Sequence, residues 1–173
     1  MRVVAGEFKG RGLVAPRGAR TRPTADRVRE ALFSILGDVS GARVLDLFAG
    51  SGALGIEALS RGAASVEFVE SDRRAVTAIQ RNLTAVGAEM VVRDQDALSF
   101  LERPGGPYDL VFCDPPYDSA LALAEPLSER LPGLISQSAR IVTESDKRKP
   151  LVLTLPLLIE REYGDTRIAI HGR

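Results

Sequence analysis

A glycine-rich turn at residues 50–55 constrains the fold of this chain more than any other feature. Segment 44–55 reads VLDLFAGSGALG, an apolar run that ends in glycines and passes into a helix-like apolar pattern. This pattern predicts a buried strand, a tight turn and the start of a helix. Glycine lets the backbone approach a ligand closely, and the free N–H groups of a helix start face whatever occupies the turn. The stretch therefore predicts a nucleotide-binding turn.

Two cofactors compete for this turn. Gly50, Gly52 and Gly55 satisfy the G-x-G-x-x-G spacing of dinucleotide enzymes, and the acidic Glu70 follows about twenty positions later. Asp46, however, precedes the first glycine at the predicted end of the strand, where a carboxylate would repel a pyrophosphate but could help to hold a cationic amino acid. S-adenosyl-L-methionine carries an ammonium and a sulfonium and no phosphate. The turn therefore favours S-adenosyl-L-methionine over NAD.

From residue 43 onwards, strand-like and helix-like segments alternate. Further strands are predicted at 65–69, 90–92, 109–113 and 139–144, followed by a hairpin of 157–163 and 166–170. Such alternation predicts parallel strands joined by right-handed helical crossovers. A terminal antiparallel pair on a parallel sheet is compatible with the seven-stranded methyltransferase sheet and unusual for the NAD-binding form.

Acidic residues recur where the predicted strands end: Asp46, Glu70, Asp96 and Asp114. Ligands of such sheets bind beyond the carboxyl ends of the strands. A carboxylate at Glu70 is suited to accept both ribose hydroxyls of an adenosine, and Asp96 could accept from the adenine amino group. Helix caps and turn acids are the alternative for any one of the four.

Two further segments have helical spacing. Segment 26–36 predicts an amphipathic helix with Thr24 as its N-cap and Gly37 just past its end. Segment 119–131 also predicts a helix, but Pro126 is expected to kink or divide it because proline lacks the N–H that an inner helical turn requires.

The N-terminal part of the chain is basic, although the whole chain has a formal net charge of +0. Residues 1–23 mix short apolar pieces with glycines, which predicts a small hairpin or an extended arm before a main domain of residues 24–173. An arm that contacts phosphates is one interpretation, and a solvated basic tail is the other. The candidate RNA-binding residues are Arg2, Lys9, Arg11, Arg20 and Arg22.

Single cysteine and histidine residues limit the chemistry. The lone Cys113 excludes an internal disulfide and a cysteine-based zinc site, and no metal site is expected. The only histidine, His171, is expected at the surface near the C-terminus, so no histidine is plainly placed for hydride transfer. The sequence has no signal-like or membrane-spanning run, and we expect a cytoplasmic monomer without membrane contact.

The tetrapeptide DPPY at residues 114–117 ends the fourth predicted strand, beside the glycine turn. Consecutive prolines fix φ and lack N–H groups, so the carbonyls there are expected to stay free for a ligand. Hydrogen bonds from an exocyclic amine to the Asp114 carboxylate and the Pro115 carbonyl would favour a more tetrahedral nitrogen, and Tyr117 offers a ring for a flipped-out base. No separate strong base is then required, because much of the rate would come from alignment of the reactants and from preorganised hydrogen-bond acceptors. An ordinary Asp-Pro turn is the alternative.

These motifs together resemble a known family. LDLFAGSG at 45–52 resembles the first motif of the class I methyltransferases, and with DPPY at 114–117 it is similar to enzymes that methylate adenine N6, cytosine N4 or guanine N2. RVVAGEFKGR at 2–11, TRPT at 21–24 and DRVREALF at 26–33 narrow this resemblance. The chain resembles the bacterial family that methylates guanine N2 in 16S ribosomal RNA, the RsmD family.

The resemblance implies an α/β fold: a mostly parallel seven-stranded sheet with helices on both faces, a terminal antiparallel hairpin and a small N-terminal hairpin or arm. It implies methyl transfer from S-adenosyl-L-methionine to one guanine of 16S ribosomal RNA in the small ribosomal subunit. The residues implied to bind the cofactor are Asp46, Phe48, Gly50, Ser51, Gly52, Glu70, Ser71, Asp96, Ala97 and Thr24. The residues implied to carry the chemistry are Asp114, Pro115, Pro116 and Tyr117.

Three alternatives stay open at this stage. A DNA adenine-N6 methyltransferase would use the same tetrapeptide, but it usually needs a separate sequence-reading domain. A non-catalytic RNA-binding module would account for the basic N-terminus but not for the glycine turn and the proline pair. An NAD-dependent enzyme would account for the glycine turn but not for the terminal hairpin.

Overall fold

A computed structural model of the chain describes residues 1–16, 26–103 and 105–173, with the backbone but not the side chain of Tyr117. The helices are α1 (Asp26–Leu36), α2 (Ala53–Ser60), α3 (Arg73–Val86), α4 (Ala97–Leu101) and α5 (Ala120–Arg130). The strands are β1 (Arg43–Leu47), β2 (Ser65–Glu70), β3 (Val91–Asp94), β4 (Tyr108–Cys113), β5 (Ile135–Asp146), β6 (Leu157–Tyr163) and β7 (Thr166–His171).

One seven-stranded sheet organises the molecule, with strand order β3-β2-β1-β4-β5-β7-β6. Strands β1 to β5 are parallel, whereas β7 is antiparallel to both β5 and β6. The predicted parallel core with a terminal antiparallel hairpin is therefore confirmed. Strands β2 and β3 are added on one side of β1, and β4 and β5 on the other, so the strand order switches between β1 and β4 and opens a crevice at the carboxyl ends of these two strands.

Helices cover both faces of the sheet. Apolar residues of α1, α2 and α3 pack on one face, and those of α4 and α5 pack on the other. Helix α2 and strand β2 approach each other closely at Gly55 of α2, where an added Cβ would lie 2.4 Å from the ring of Phe68 on β2. This third glycine of the turn is therefore required for helix–strand packing, and it lets α2 begin directly behind the crevice.

The apolar spacing of α1 predicts that Val28, Ala31, Leu32, Ile35 and Leu36 form its inner face, and the observed buried face is rotated from this stripe by about one residue. Its buried residues are Arg29, Leu32, Phe33 and Leu36, while Val28 and Ile35 are only half-buried. Arg29 is fully buried because its Nε donates to Oε2 of the equally buried Glu57 on α2, at 3.4 Å. A buried charge is tolerated only when it is paired in this way.

The N-terminal residues form a compact hairpin that packs on α2. Arg2 and Gly12 form an antiparallel bridge, and Val3 and Leu13 are buried in the core. The carboxylate of Glu57 accepts from the backbone N–H groups of Val4 (2.7 Å) and Ala5 (3.0 Å). Residues 1–13 therefore fold back on themselves, and Glu57 fixes their position on α2.

The structure differs from two sequence predictions. Pro126 does not divide the predicted helix, because α5 is continuous through it; the exposed Ala122, whose carbonyl loses its helical N–H partner, can be hydrated instead. His171 is not a surface residue: it is 2% exposed and its Nδ1 lies 3.2 Å from the carbonyl oxygen of Leu155. Burial lowers the pKa of His171, so it is held neutral.

Candidate active site at the carboxyl edge of the sheet

The glycine turn and the DPPY segment meet at one edge of the sheet. Strands β1 and β4 pair in parallel with Leu47 opposite Cys113, so the residues that follow them leave neighbouring strands side by side. Two segments more than sixty residues apart in the sequence thus converge, as the sequence analysis required. This juxtaposition defines the candidate site.

The backbone of the glycine turn has a left-handed conformation at three positions. Phe48 has φ +59°, the only positive φ of a non-glycine residue in the described part of the chain, and Gly50 and Gly52 have φ +57° and +76°. The N–H of Gly52 donates to the carbonyl of Ala49 at 2.7 Å, which closes the turn. A strained non-glycine residue persists only where the surroundings impose it, and such positions cluster at ligand sites.

Glu70 at the end of β2 holds the turn in place. Its Oε2 accepts from the N–H of Gly50 at 2.8 Å, and its Oε1 accepts from the N–H groups of Ser71 and Asp72, each at 2.8 Å. These bonds use three of the roughly four acceptor sites of a carboxylate. Glu70 can therefore accept one ribose hydroxyl without losing a backbone bond, whereas the sequence analysis expected two.

Asp46 lies inside β1 rather than beyond its end, and it is 2% exposed. Its Oδ2 accepts from the N–H of Gly55 at 3.0 Å, so it also fixes the start of α2. Burial raises the pKa of Asp46 to about 8, with a further contribution from the charge of Glu70. A cation placed nearby would offset this unfavourable environment and favour the ionised carboxylate.

Three carboxylates share the face of the sheet that packs against α1–α3. In the register of the sheet, Asp46 of β1 lies opposite Phe112 of β4, and Phe112 lies opposite Val142 of β5. Asp114 follows Phe112 by two residues and Glu144 follows Val142 by two residues, so the three acids belong to the same face. Burial raises the pKa of Asp114 well above its usual value, and the charges of Glu144 and Asp46 raise it further. Like charges held close together make each carboxylate a stronger proton acceptor.

The two residues predicted to lie near the adenine of the cofactor, Asp96 and Ala97, already have structural roles within the protein. Asp96 is the N-cap of α4, where its Oδ1 accepts from the N–H of Ser99 at 3.0 Å, and Ala97 is the buried first residue of that helix. Asp96 therefore caps α4, and its contact with the adenine stays a prediction. Beside it, the buried Nε2 of Gln95 has no hydrogen-bond partner among the described residues, which leaves a donor for a ligand.

The DPPY segment adopts a short 3-10 turn at Tyr117–Ser119. Asp114 is half-buried, Pro115 is buried and Pro116 is exposed. The carbonyl of Pro116 accepts from the N–H of Ser119 at 2.9 Å, so the expectation that both proline carbonyls stay free is wrong for Pro116. The side chain of Tyr117 lies outside the described residues.

The predicted RNA-binding residues separate into two groups. Arg2, Lys9 and Arg11 are exposed on the N-terminal hairpin, and Arg2 pairs loosely with Asp26 at 3.7 Å. Arg20, Arg22 and the predicted cap Thr24 lie outside the described residues.

The sequence did not indicate Gln95 as a site residue, nor two further polar residues of the site. Glu144 ends a predicted strand just as the other four acids do, so the same rule could have included it. Asn82 gave no such signal: it is a polar residue in an amphipathic helix, and only the structure shows that its amide reaches Ser51 in the glycine turn (2.9 Å).

The acceptor and donor set fits S-adenosylmethionine better than a dinucleotide. Carboxylates at Asp46 and Glu70 flank the turn, which suits a cation and repels a pyrophosphate, and Gln95 offers an unused donor. Groups of three or more His, Cys, Asp or Glu side chains that could hold a metal ion are absent from the described ranges. Within the same ranges, no helix is long and apolar enough to cross a membrane.

The sheet order, the antiparallel seventh strand and the turn after β1 define a class I methyltransferase fold. The model of the family described as Conserved hypothetical protein 95 matches residues 1–172, so the chain belongs to that family, the RsmD family of the sequence analysis.

Relatives agree with this assignment. The chain is 45% identical over 123 residues to ribosomal RNA small subunit methyltransferase D of Escherichia coli K12; the match covers 70% of this chain and 62% of that protein. The methyltransferase D of Haemophilus influenzae is 37% identical over 160 residues, covering 88% of this chain and 82% of that protein. The solved structure of a hypothetical protein from Thermus thermophilus superimposes with a TM-score of 0.86 at 31% identity, covering 100% of this chain and 99% of that one.

Proposed function

We propose that this chain transfers a methyl group from S-adenosylmethionine to the exocyclic N2 of one guanine in 16S ribosomal RNA, within the small ribosomal subunit. Membership of the RsmD family and the names of the two methyltransferase D relatives support this proposal. We place the reaction in the cytoplasm and expect the protein to act as a monomer.

One observation carries the proposal. The glycine turn follows β1 and Asp114-Pro115 follows β4, and these two strands are paired, so the two segments begin side by side. A group bound at the turn and a base resting against Asp114 would be close enough to react. Holding two reactants in a productive geometry removes much of the entropic barrier to a bimolecular step.

Residues of the glycine turn would hold the methyl donor. Asp46 would face its cationic amino acid portion, Glu70 would accept one ribose hydroxyl, and Gln95 would donate to the adenine. The left-handed backbone conformation of Phe48 would orient the glycine turn towards the ligand. When bound, the cofactor supplies an electrophilic methyl group on its sulfonium.

Asp114 would prepare the guanine amine for attack. The lone pair of this nitrogen is delocalised into the base, and hydrogen bonds from its two hydrogens to Asp114 and to the Pro115 carbonyl favour the more tetrahedral, nucleophilic form. After transfer the nitrogen must lose one proton. The Asp114 carboxylate can take it, because its raised pKa makes it a stronger acceptor than an ordinary aspartate.

The decisive experiment is product identification. Unmodified small subunits, free 16S RNA and duplex DNA are incubated with labelled methyl donor, and the nucleosides are separated. We expect N2-methylguanosine from ribosomal RNA; N6-methyladenosine from DNA would instead favour the DNA methyltransferase alternative. Calorimetric titration with S-adenosylmethionine and with NAD tests the cofactor, and binding of NAD alone would refute it.

Asp114→Ala separates chemistry from cofactor binding. We expect loss of most activity while the affinity for S-adenosylmethionine stays within about tenfold, or about 1.4 kcal/mol. Asp118→Ala is the matched control, because Asp118 lies four residues further on, is 91% exposed and pairs with Lys149. Equal loss of activity and cofactor affinity in Asp114→Ala would make Asp114 a cofactor ligand instead.

A further inference from the structure

A groove runs between the end of the N-terminal segment and helix α3, outside the candidate active site. It has a volume of about 720 Å³. One wall is residues 14–16, and the other is a stripe of α3. The residues that line it are Val14, Ala15, Pro16, Arg74, Thr77, Ala78 and Arg81.

The stripe on α3 places two arginines in line. Arg74, Thr77, Ala78 and Arg81 follow the i, i+3, i+4, i+7 spacing of one helix face, so the two arginines lie two turns, or about 10 Å, apart along the axis. Ala78 is buried and forms the floor, while both arginines are exposed. The groove therefore has an apolar floor with a positive charge towards each end.

Neither arginine is neutralised by a carboxylate in the described part of the chain. The neighbouring Arg73 has Asp94 at 3.9 Å, and Arg93 on β3 has Glu67 at 2.7 Å. Arg74 and Arg81 have no such ion pair among the described residues. Unpaired guanidinium groups are the preferred contacts for phosphate oxygens.

The wall of the groove is fixed to the active site. Asn82 accepts from the N–H of Val14 at 2.8 Å and donates to its carbonyl at 3.0 Å, and the same amide donates to the carbonyl of Ser51 in the glycine turn at 2.9 Å. Helix α3 itself starts three residues after Glu70, at the carboxyl edge of the sheet. The groove is thus rigidly connected to the edge where the reaction would occur.

The spacing of the charges fits a polyanion better than a small ligand. A small anion is held by donors that converge on one point, whereas these two guanidinium groups are separated by two helical turns. A repeating polyanion is the ligand that can contact two cations separated in this way.

We propose that this groove binds the sugar–phosphate backbone of the RNA strand that carries the target guanine, with Arg74 and Arg81 as phosphate contacts. This inference rests on the proposed function for the identity of the polyanion. It adds α3 to the RNA-binding surface, to which the sequence analysis had assigned only the N-terminal residues.

Binding of unmodified 16S RNA over a series of KCl concentrations tests the groove. We expect the double variant Arg74→Ala/Arg81→Ala to bind about tenfold more weakly at 0.1 M salt, and its plot of log affinity against log salt to be flatter by about 1.4, since each single-stranded phosphate contact contributes about 0.7. Arg74→Lys/Arg81→Lys should keep most of the slope. Arg161→Ala, an exposed arginine on the edge strand β6, is the control and should bind as the unaltered protein does.

Two readouts separate this inference from the proposed function. RNA binding is measured in an Asp114→Ala background without added methyl donor, and product identity is measured in the unaltered protein. If N2-methylguanosine forms but the alanine pair keeps the full salt slope, the groove proposal is wrong and the function stands. If the slope falls but no N2-methylguanosine forms, the proposed function is wrong and the groove is an RNA-binding surface without an assigned target base. A tenfold loss of S-adenosylmethionine affinity in the alanine pair would assign the arginines to the cofactor and overturn the groove proposal.

Discussion

The backbone N–H of Gly50 donates a 2.8 Å hydrogen bond to the carboxylate of Glu70, which joins the turn after β1 to the end of β2. From the sequence, Gly50 and Glu70 are predicted to be two separate contacts with the cofactor. In the structure they form one unit, because the carboxylate also accepts from the N–H groups of Ser71 and Asp72. Glu70 is therefore as much a support of the glycine turn as a ligand for the cofactor.

Glu70→Gln tests this double role. The glutamine amide has one oxygen acceptor, so its NH2 group would face a backbone N–H that the carboxylate now satisfies. We expect S-adenosylmethionine affinity to fall by tenfold or more, together with a lower melting temperature even without cofactor. Calorimetric titration and thermal unfolding measure the two effects.

The exposed Glu89→Gln serves as the control for loss of one negative charge. A Glu70→Gln variant that loses affinity but keeps its cofactor-free melting temperature would restrict Glu70 to ligand binding. That result would contradict the supporting role.

Asp46→Asn tests the buried carboxylate through the pH dependence of stability. Because the folded-state pKa of Asp46 is raised to about 8, the favourable contribution of its protonated form is complete below about pH 4 and is lost as pH rises towards 8. We expect the melting temperature of the unaltered protein to fall over this range, and the fall to be smaller in Asp46→Asn, which keeps an acceptor for Gly55.

Asp38→Asn is the control for this experiment. Asp38 is exposed and its hydrogen bonds to Ser40 lower its pKa, so its contribution to stability changes only at acidic pH. If Asp46→Asn retains the full slope between pH 5 and 8, another group is responsible for it.

The regular part of the fold could be predicted because it follows local rules. Apolar runs, glycine stops and alternation of strand and helix placed β1, β2, β4 and the terminal hairpin within a few residues of their observed bounds. Burial of polar side chains could not be predicted in this way, because it depends on partners far away in the sequence. Arg29 is buried because of Glu57, and that pairing rotated the inner face of α1.

The gathering of the strand-end acids at one edge of the sheet could be predicted from the sequence, but their hydrogen bonds could not. Parallel topology brings strand-end acids to one edge, so the group of Asp46, Glu70 and Asp114 could be inferred from their positions. The sequence could not reveal that three backbone N–H groups already occupy Glu70, or that Asp96 caps α4. Such details depend on the loop backbone, which no periodicity encodes.

The docking of the N-terminal hairpin can be tested with a matched pair of glycines. Gly6 and Gly10 both have φ +83°, so Gly→Ala costs each about 1–2 kcal/mol of backbone strain. At Gly6 the new Cβ would also lie 1.7 Å from the carbonyl oxygen of Ser60 at the end of α2, whereas nothing lies within 4 Å at Gly10. We expect Gly6→Ala to lower the free energy of unfolding in urea by about 1–3 kcal/mol more than Gly10→Ala does. Equal losses would mean that the hairpin does not pack on α2 in solution.

Removal of the buried ion pair at α1 should be more damaging than removal of a surface arginine. Arg29→Ala leaves Glu57 without its buried countercharge, so we expect a loss of about 3–5 kcal/mol in urea unfolding. Arg27→Ala, on the exposed face of the same helix, should change stability by less than about 0.5 kcal/mol. A small effect of Arg29→Ala would show that Arg61, whose Nε lies 2.9 Å from Glu57, is sufficient to neutralise it.

Glu144 should set the pH range in which Asp114 works. The ionised Asp114 accepts hydrogen bonds from the guanine amine, and the charge of Glu144 raises the pKa of Asp114. Glu144→Gln removes that charge, so the pKa of Asp114 falls and the acid limb of kcat/KM against pH should move to lower pH. The exposed Glu129→Gln should leave the profile unchanged. A Glu144→Gln enzyme with a reduced rate at every pH but an unmoved acid limb would show that Glu144 supports the fold of the site without acting on Asp114.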